Sequence, residues 1–235
     1  MMFQSMKVLA VVIFMLAALN VAGQTPETCK VGKNAPAFGF WTWAPEHTIK
    51  VYVIEADFDP SELPYLLKPV KNWNAVAEAT GSQVKFEYAG STAAPVYCER
   101  CLTIMRGPVF DASKRHATEL RAYSARSNQI LTWAHIVVDP VLTNTKAISN
   151  AVAHELGHSV GLLDCYNCKP HSTVMSKLKA MNQPNDTEGP SACDVAQVKL
   201  AYKELAIRVR PMPLKPEITD EGEEPIDDDT PIVPK

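Results

Sequence analysis

Only residues 8–19 form an apolar run longer than a strand requires. Crossing a bilayer takes about 20 such residues, so this run is too short to anchor the chain and no stable membrane insertion is expected. No internal repeat is present, which leaves out a repeat architecture. Charge is also nearly absent in sum, at −3. It is uneven: residues 211–235 carry eight acids against Lys215 and Lys235, so the rest of the chain sums to +3. A body so close to neutral has no electrostatic footprint for nucleic acid. The acidic tail holds six of the eighteen prolines and reads as a solvated, disordered extension, 209–235. Calcium or a docking partner would suit its charge, but no spaced calcium loop supports either.

The ends and the cysteines suggest an exported protein. Lys7 precedes the apolar run, and Val21-Ala22-Gly23 supplies small residues for cleavage. Residues 1–23 therefore read as a signal peptide, and the expected location is secreted, or periplasmic in a Gram-negative cell. The six cysteines all follow it: Cys29, Cys98, Cys101, Cys165, Cys168 and Cys193. An even number in an exported chain implies disulfides, with the pairing left open. The two C-x-x-C pairs admit a second reading as a four-cysteine structural zinc site. Cys29 also admits two readings, a disulfide partner or a thiolate that plugs a metal site. No propeptide motif surrounds it, and too few residues precede the first strand for a folded propeptide.

The chemistry is concentrated in His154-Glu155-Leu156-Gly157-His158-Ser159-Val160-Gly161-Leu162-Leu163-Asp164. On a helix, positions i and i+4 share a face, so His154 and His158 can grip one ion. Glu155 sits beside that ion as the catalytic candidate, a general base for a metal-activated water. Gly161 can adopt positive φ and turn the chain back, bringing Asp164 as a third ligand. Two histidines, a carboxylate and an open position suit a catalytic zinc, because structural sites are closed by four protein ligands. About one chain in a hundred carries His-Glu-x-x-His by chance, and the residues at 161 and 164 make chance rarer still. The rival third ligand is His171, with Asp164 then orienting a histidine. His47, His116 and His135 read as surface or strand histidines. Asn185-Asp186-Thr187 is a glycosylation sequon, with meaning only in a eukaryotic secretory pathway.

This run, followed by Met175 in Ser172-Thr173-Val174-Met175-Ser176, resembles the metzincin clan of zinc endopeptidases. In that clan a tight turn bearing a methionine lies beneath the zinc, which implies that role for Met175. Most of the clan has histidine where this chain has Asp164. The aspartate form is similar to the snapalysin group of small secreted bacterial proteases, and the surrounding Val152-Ala153-His154-Glu155 looks matrixin-like. Astacins and serralysins usually place tyrosine two residues after the methionine. Here that residue is Lys177, so no tyrosine switch is assigned. The resemblance is strong over about 145–176, weaker over 48–208 and absent from the tail.

Hydrophobic periodicity organises the rest. Strands are expected at 48–56, 84–88, 102–105 and 130–139, with Val84, Phe86 and Tyr88 sharing a face. A helix is expected at 66–80, with Pro69 in its first turn, and another at 145–161, capped by Asn144 or Thr145. On the second, Ile148, Val152, Leu156 and Val160 form the core stripe, with His154 and His158 facing away. A last helix follows Ser191 and stops at Pro211. The expected fold is α/β (α+β), a metzincin-like catalytic domain: a mixed twisted sheet, a long active-site helix, and a small irregular C-terminal subdomain with the methionine turn and final helix. Its boundaries are 24–47 for a lead-in and 48–208 for the catalytic domain, split into 48–161 and 162–208. Substrate would lie extended along an edge strand at 117–124, with pocket walls from 176–190. The expected activity is that of a monomeric zinc endopeptidase acting on protein or peptide. The alternatives are a non-catalytic binding protein on the same frame and a zinc hydrolase of another bond.

Overall fold

The computed structural model describes residues 29–39, 42–82, 84–109, 118–123, 130–176 and 189–208, with backbone alone at 118–123 and 206–208. The signal peptide, His116, Lys177, the sequon, most of the expected pocket wall and the acidic tail lie outside these residues.

The first strand, β1 (Thr48–Ile54), follows its alternation: Ile49, Val51 and Val53 are buried while Thr48 and Lys50 are exposed. After a short 3-10 turn comes α1 (Leu63–Thr80). This helix starts three residues earlier than its periodicity suggested, and Pro69 lies inside it rather than in the first turn. Pro64 takes the early position, where a missing amide costs nothing because first-turn amides have no helical partner. Pro69 forfeits one helical bond. Burial of Leu66, Val70, Trp73 and Val76 around it carries the helix through. Gly81 ends the helix in the left-handed region at φ 68°.

Strand β2 (Lys85–Thr92) runs beyond its expected end at 88. Its pairing slips: Val51 faces Tyr88, while Tyr52 faces Gly90, leaving Ala89 unmatched. Gly90 has φ 117°, a conformation that side chains resist. Val84 and Phe86 are buried, but Tyr88, expected on their face, is 37% exposed where the ladder slips. Strands β3 (Cys101–Arg106) and β5 (Trp133–Val138) pair in parallel, and β4 (Thr118–Tyr123) lies antiparallel on β5. The sheet order is β2-β1-β3-β5-β4. Strand β5 is shorter than expected because Ile130 and Leu131 pair with Thr42 instead of extending the ladder.

Helix α2 (Thr145–Ser159) carries the motif. Asn144 caps it, its side-chain oxygen accepting from the amides of Lys146 and Ala147 at 3.0 Å each. Such a cap contributes about 1 kcal/mol. The helix packs on α1, β4 and β5, so burial wraps most of its circumference rather than a single stripe. The last helix, α3 (Ala192–Arg208), also packs on α1. Among the described residues these make an α/β fold: four parallel strands, one antiparallel edge and three helices. Among the described residues no helix is long and apolar enough to cross a membrane.

All six cysteines are paired: Cys29–Cys193, Cys98–Cys101 and Cys165–Cys168. This corrects two alternatives. Each C-x-x-C pair closes on itself, so the four-cysteine zinc site does not form. Cys29 is bonded to Cys193 and is no metal plug.

Candidate metal centre

The motif geometry starts with α2. One helical turn separates His154 and His158, and their rings meet edge to face with centroids 4.8 Å apart. After Ser159 the helix unwinds, and Gly161, at φ 95°, turns the chain. Asp164 then comes back to the two histidines. Its Oδ1 lies 3.1 Å from His154 Nε2 and 3.6 Å from His158 Nε2. One ligand atom from each residue falls within 4.8 Å of the others, a group that could hold a metal ion.

The other ring nitrogens make that reading chemical as well as geometric. His154 Nδ1 is 3.0 Å from the Val174 carbonyl, and His158 Nδ1 is 2.8 Å from the Leu162 carbonyl. A carbonyl only accepts, so both Nδ1 atoms donate, and both Nε2 atoms face the same point, where each can offer a lone pair to a cation once its proton has left. In a tetrahedral zinc site with bonds of about 2.1 Å, ligand atoms stand about 3.4 Å apart. The two distances to Asp164, 3.1 and 3.6 Å, bracket that value, within a group whose donor atoms all lie within 4.8 Å of one another. The donor set of two imidazoles and one carboxylate fits zinc and leaves a position open.

Electrostatics follow from the same closeness. Burial works against charge on His158, yet the Asp164 bond and the charges of Glu155 and Asp164 outweigh it and push His158 up to about 9. Burial likewise works against charge on Asp164. The bonds and charges of His154 and His158 prevail and hold its carboxyl well below the usual range. A cation in place of the shared proton would satisfy all three residues.

Glu155 is 4% exposed and next to the first histidine on the helix. Met175 is fully buried beneath α2. A Cβ at Gly157 would overlap the Met175 sulfur and come within 3.2 Å of Trp73. The Trp73 indole donates to the Ala153 carbonyl at 2.9 Å, fixing α1 to the helix at the same level. His171 lies in a turn at φ 65° and is not in the ligand group. His135 is buried in β5 against Tyr97 and Trp133, and His47 is half-buried before β1.

Two residues escaped the sequence reading. Tyr166 donates its hydroxyl to Asp164 Oδ2 at 2.8 Å from a turn that is 69% exposed at this residue. The sequence places this tyrosine between the cysteines of a C-x-x-C pair, two residues after a candidate ligand, but the bond depends on that pair closing. Asp194 is the second. Its carboxylate accepts from the Thr173 hydroxyl, the Val174 amide at 3.1 Å and the Ser191 amide at 2.8 Å. Ser191 Oγ accepts from the Asp194 amide at 3.1 Å, completing a reciprocal cap. Ser191-Ala192-Cys193-Asp194 was legible as such a box, though nothing local said that it also holds the methionine turn.

No family model and no curated protein matches the chain. Among solved structures it is similar to metalloproteinase-II from Bacteroides fragilis, with 12% identity and a TM-score of 0.41 over 75% of this chain and 60% of that one. It is also similar to a chain described as part of a chaperone-substrate complex, with 13% identity and a TM-score of 0.37 over 69% and 36%. The chain thus spans under two thirds of either protein. Likeness at this level concerns the path of the backbone, and the chemistry rests on the side chains of the site.

Proposed function

We propose that this chain is a zinc-dependent endopeptidase. The observation that carries the reading is the convergence of His154, His158 and Asp164, with each imidazole held through its far nitrogen by a backbone carbonyl. Bound there, zinc would supply Lewis-acid polarisation of a scissile carbonyl and make a water a usable nucleophile near neutral pH. Glu155 takes the proton from the attacking water and delivers it to the leaving amine. Tyr166 keeps one oxygen of Asp164 occupied, so the other faces the histidines. Met175, under the helix, supports the site without touching substrate.

Substrate would enter as an extended strand. Among the described residues strand β4 is an edge of the sheet that pairs with β5 on one side and borders α2, and its other edge is the place for a peptide backbone. Export before folding belongs to the same reading, since three disulfides form most readily in an oxidising compartment.

Purified oxidised protein, loaded with zinc, is expected to cleave an unstructured protein substrate. Glu155→Ala should bind zinc as the parent does and lose about 10²–10⁴-fold in rate. If both proteins bind zinc and neither cleaves a broad panel, the endopeptidase reading falls.

A further inference from the structure

Asp164 is a short ligand on an exposed turn, and something must fix its backbone. One methylene separates its carboxyl from the chain, so small backbone shifts reach the ligand oxygen undiminished. The turn is packed on one side only: Leu162, Cys165 and Cys168 are buried, while Leu163 is 47% exposed and Tyr166 69%. Such turns open at low cost unless tied down from outside.

The ties come from the chain's own N-terminal part. The Gly39 amide donates to the Gly161 carbonyl at 2.6 Å, the Leu163 amide to the Ala37 carbonyl at 2.9 Å, and the Lys169 amide to the Lys33 carbonyl at 2.8 Å. Phe38 and Leu162 pair as an antiparallel bridge. On the other side the Cys165 amide donates to the Met175 carbonyl at 2.9 Å. The amides flanking Asp164 are therefore both taken, one by residues 33–39 and one by the methionine turn. Both sulfurs of Cys165–Cys168 lie 3.4 Å from the Ala35 carbonyl oxygen, so the closed turn rests on the same segment. The far end of that segment is bonded through Cys29 to Cys193, beside Asp194.

We infer that residues 33–39, anchored by the Cys29–Cys193 disulfide, are a positioning strap that sets Asp164 for metal binding. The strap acts through the ligand backbone and touches neither metal nor substrate. This inference rests on the metal-site reading, and the test separates the two.

Two lesions loosen the strap differently. Gly39→Pro removes the amide that donates to the Gly161 carbonyl and leaves every disulfide in place. Cys29→Ser with Cys193→Ser frees the anchor. Each is made alone and with Asp164→Ala. Zn²⁺ affinity is measured by competition with a chromophoric chelator, Co²⁺ spectra report the ligand field, and circular dichroism reports the fold. With Asp164 present, each lesion should weaken Zn²⁺ binding about 10–100-fold, as loss of ligand-orienting contacts does, and alter the Co²⁺ spectrum. With Asp164→Ala, neither should weaken binding further, because the ligand they position is gone. Equal losses in both backgrounds would make the strap a general stabiliser and overturn the inference, as would no loss in either. If the parent protein binds no Zn²⁺, the metal-site reading itself fails. If the cysteine variant does not fold, Gly39→Pro alone decides.

Discussion

His158 shows how much one side chain is asked to do. It donates to Leu162 through one nitrogen and faces Asp164 through the other, while Glu155 adds negative charge nearby. In the metal-free protein it is pushed up to about 9, above its ordinary 6.5. The proton thus stabilises the metal-free fold below about 6.5, and that contribution is lost as pH rises through about 9. Zinc competes for the same nitrogen. Binding near pH 7 should therefore release protons, and affinity should climb from pH 7 to 9; calorimetry in buffers of different ionisation enthalpy reads both. Gly157 makes a second single-residue argument. In an exposed helix Gly→Ala adds about 1 kcal/mol of stability. Here the new Cβ would overlap the Met175 sulfur, and Met175 and Trp73 are at most 1% exposed, so nothing can yield cheaply. Gly157→Ala should instead cost about 1–3 kcal/mol in urea unfolding, and a stabilised variant would refute this packing. The residues that helical spacing brings together, His154, Glu155 and His158, were legible because four positions on a helix fix their geometry. Asp164 was legible one step further out, through the turn at Gly161. Tyr166 was not, because its bond to Asp164 depends on how the Cys165–Cys168 turn folds.

At the level of elements, the start of α3 and the methionine turn form one unit. Asp194, fully buried, joins them through the Thr173 hydroxyl and the amides of Val174 and Ser191. Burial raises its pKa, and those donors offset part of the rise. The link continues: the Val174 carbonyl receives the His154 proton, so the last helix is coupled to the first ligand. Asp194→Ala leaves buried donors without an acceptor and should cost about 3–5 kcal/mol. Asp194→Asn can keep its carbonyl toward the two amides and turn its NH₂ to the threonine oxygen. It should cost about 1–2 kcal/mol and recover most of the metal affinity. Chemical denaturation of both variants orders them, and equal costs would remove the carboxylate from this role. Element positions were legible wherever period and breakers agreed, as in β1 and α2. They were misjudged where long-range packing prevailed: burial carried α1 through Pro69, and pairing with β1 drew β2 on to Thr92 through small polar residues.

The whole molecule places its candidate ligands on opposite sides of a break in the chain. His154 and His158 belong to α2, held between sheet and α1. Asp164 belongs to an irregular turn bordered by the N-terminal segment and the methionine turn. The class of fold followed from the alternation of strands and helices. The sheet order did not, because β5 inserts between β3 and β4, a neighbour relation that no local pattern in the sequence encodes. A metal joining the two parts should act on global stability, since it binds the folded arrangement and not the open chain. With free zinc about 1,000-fold above its dissociation constant, the gain is about 4.1 kcal/mol. For a domain of this size that corresponds to about 8–16 °C in Tm. Chelation should remove the shift and zinc should restore it. Glu155→Ala should keep most of the shift because Glu155 is no ligand, while Asp164→Ala should lose most of it. A full zinc-induced shift in Asp164→Ala would mean that the turn carrying Asp164 takes no part in holding the ion.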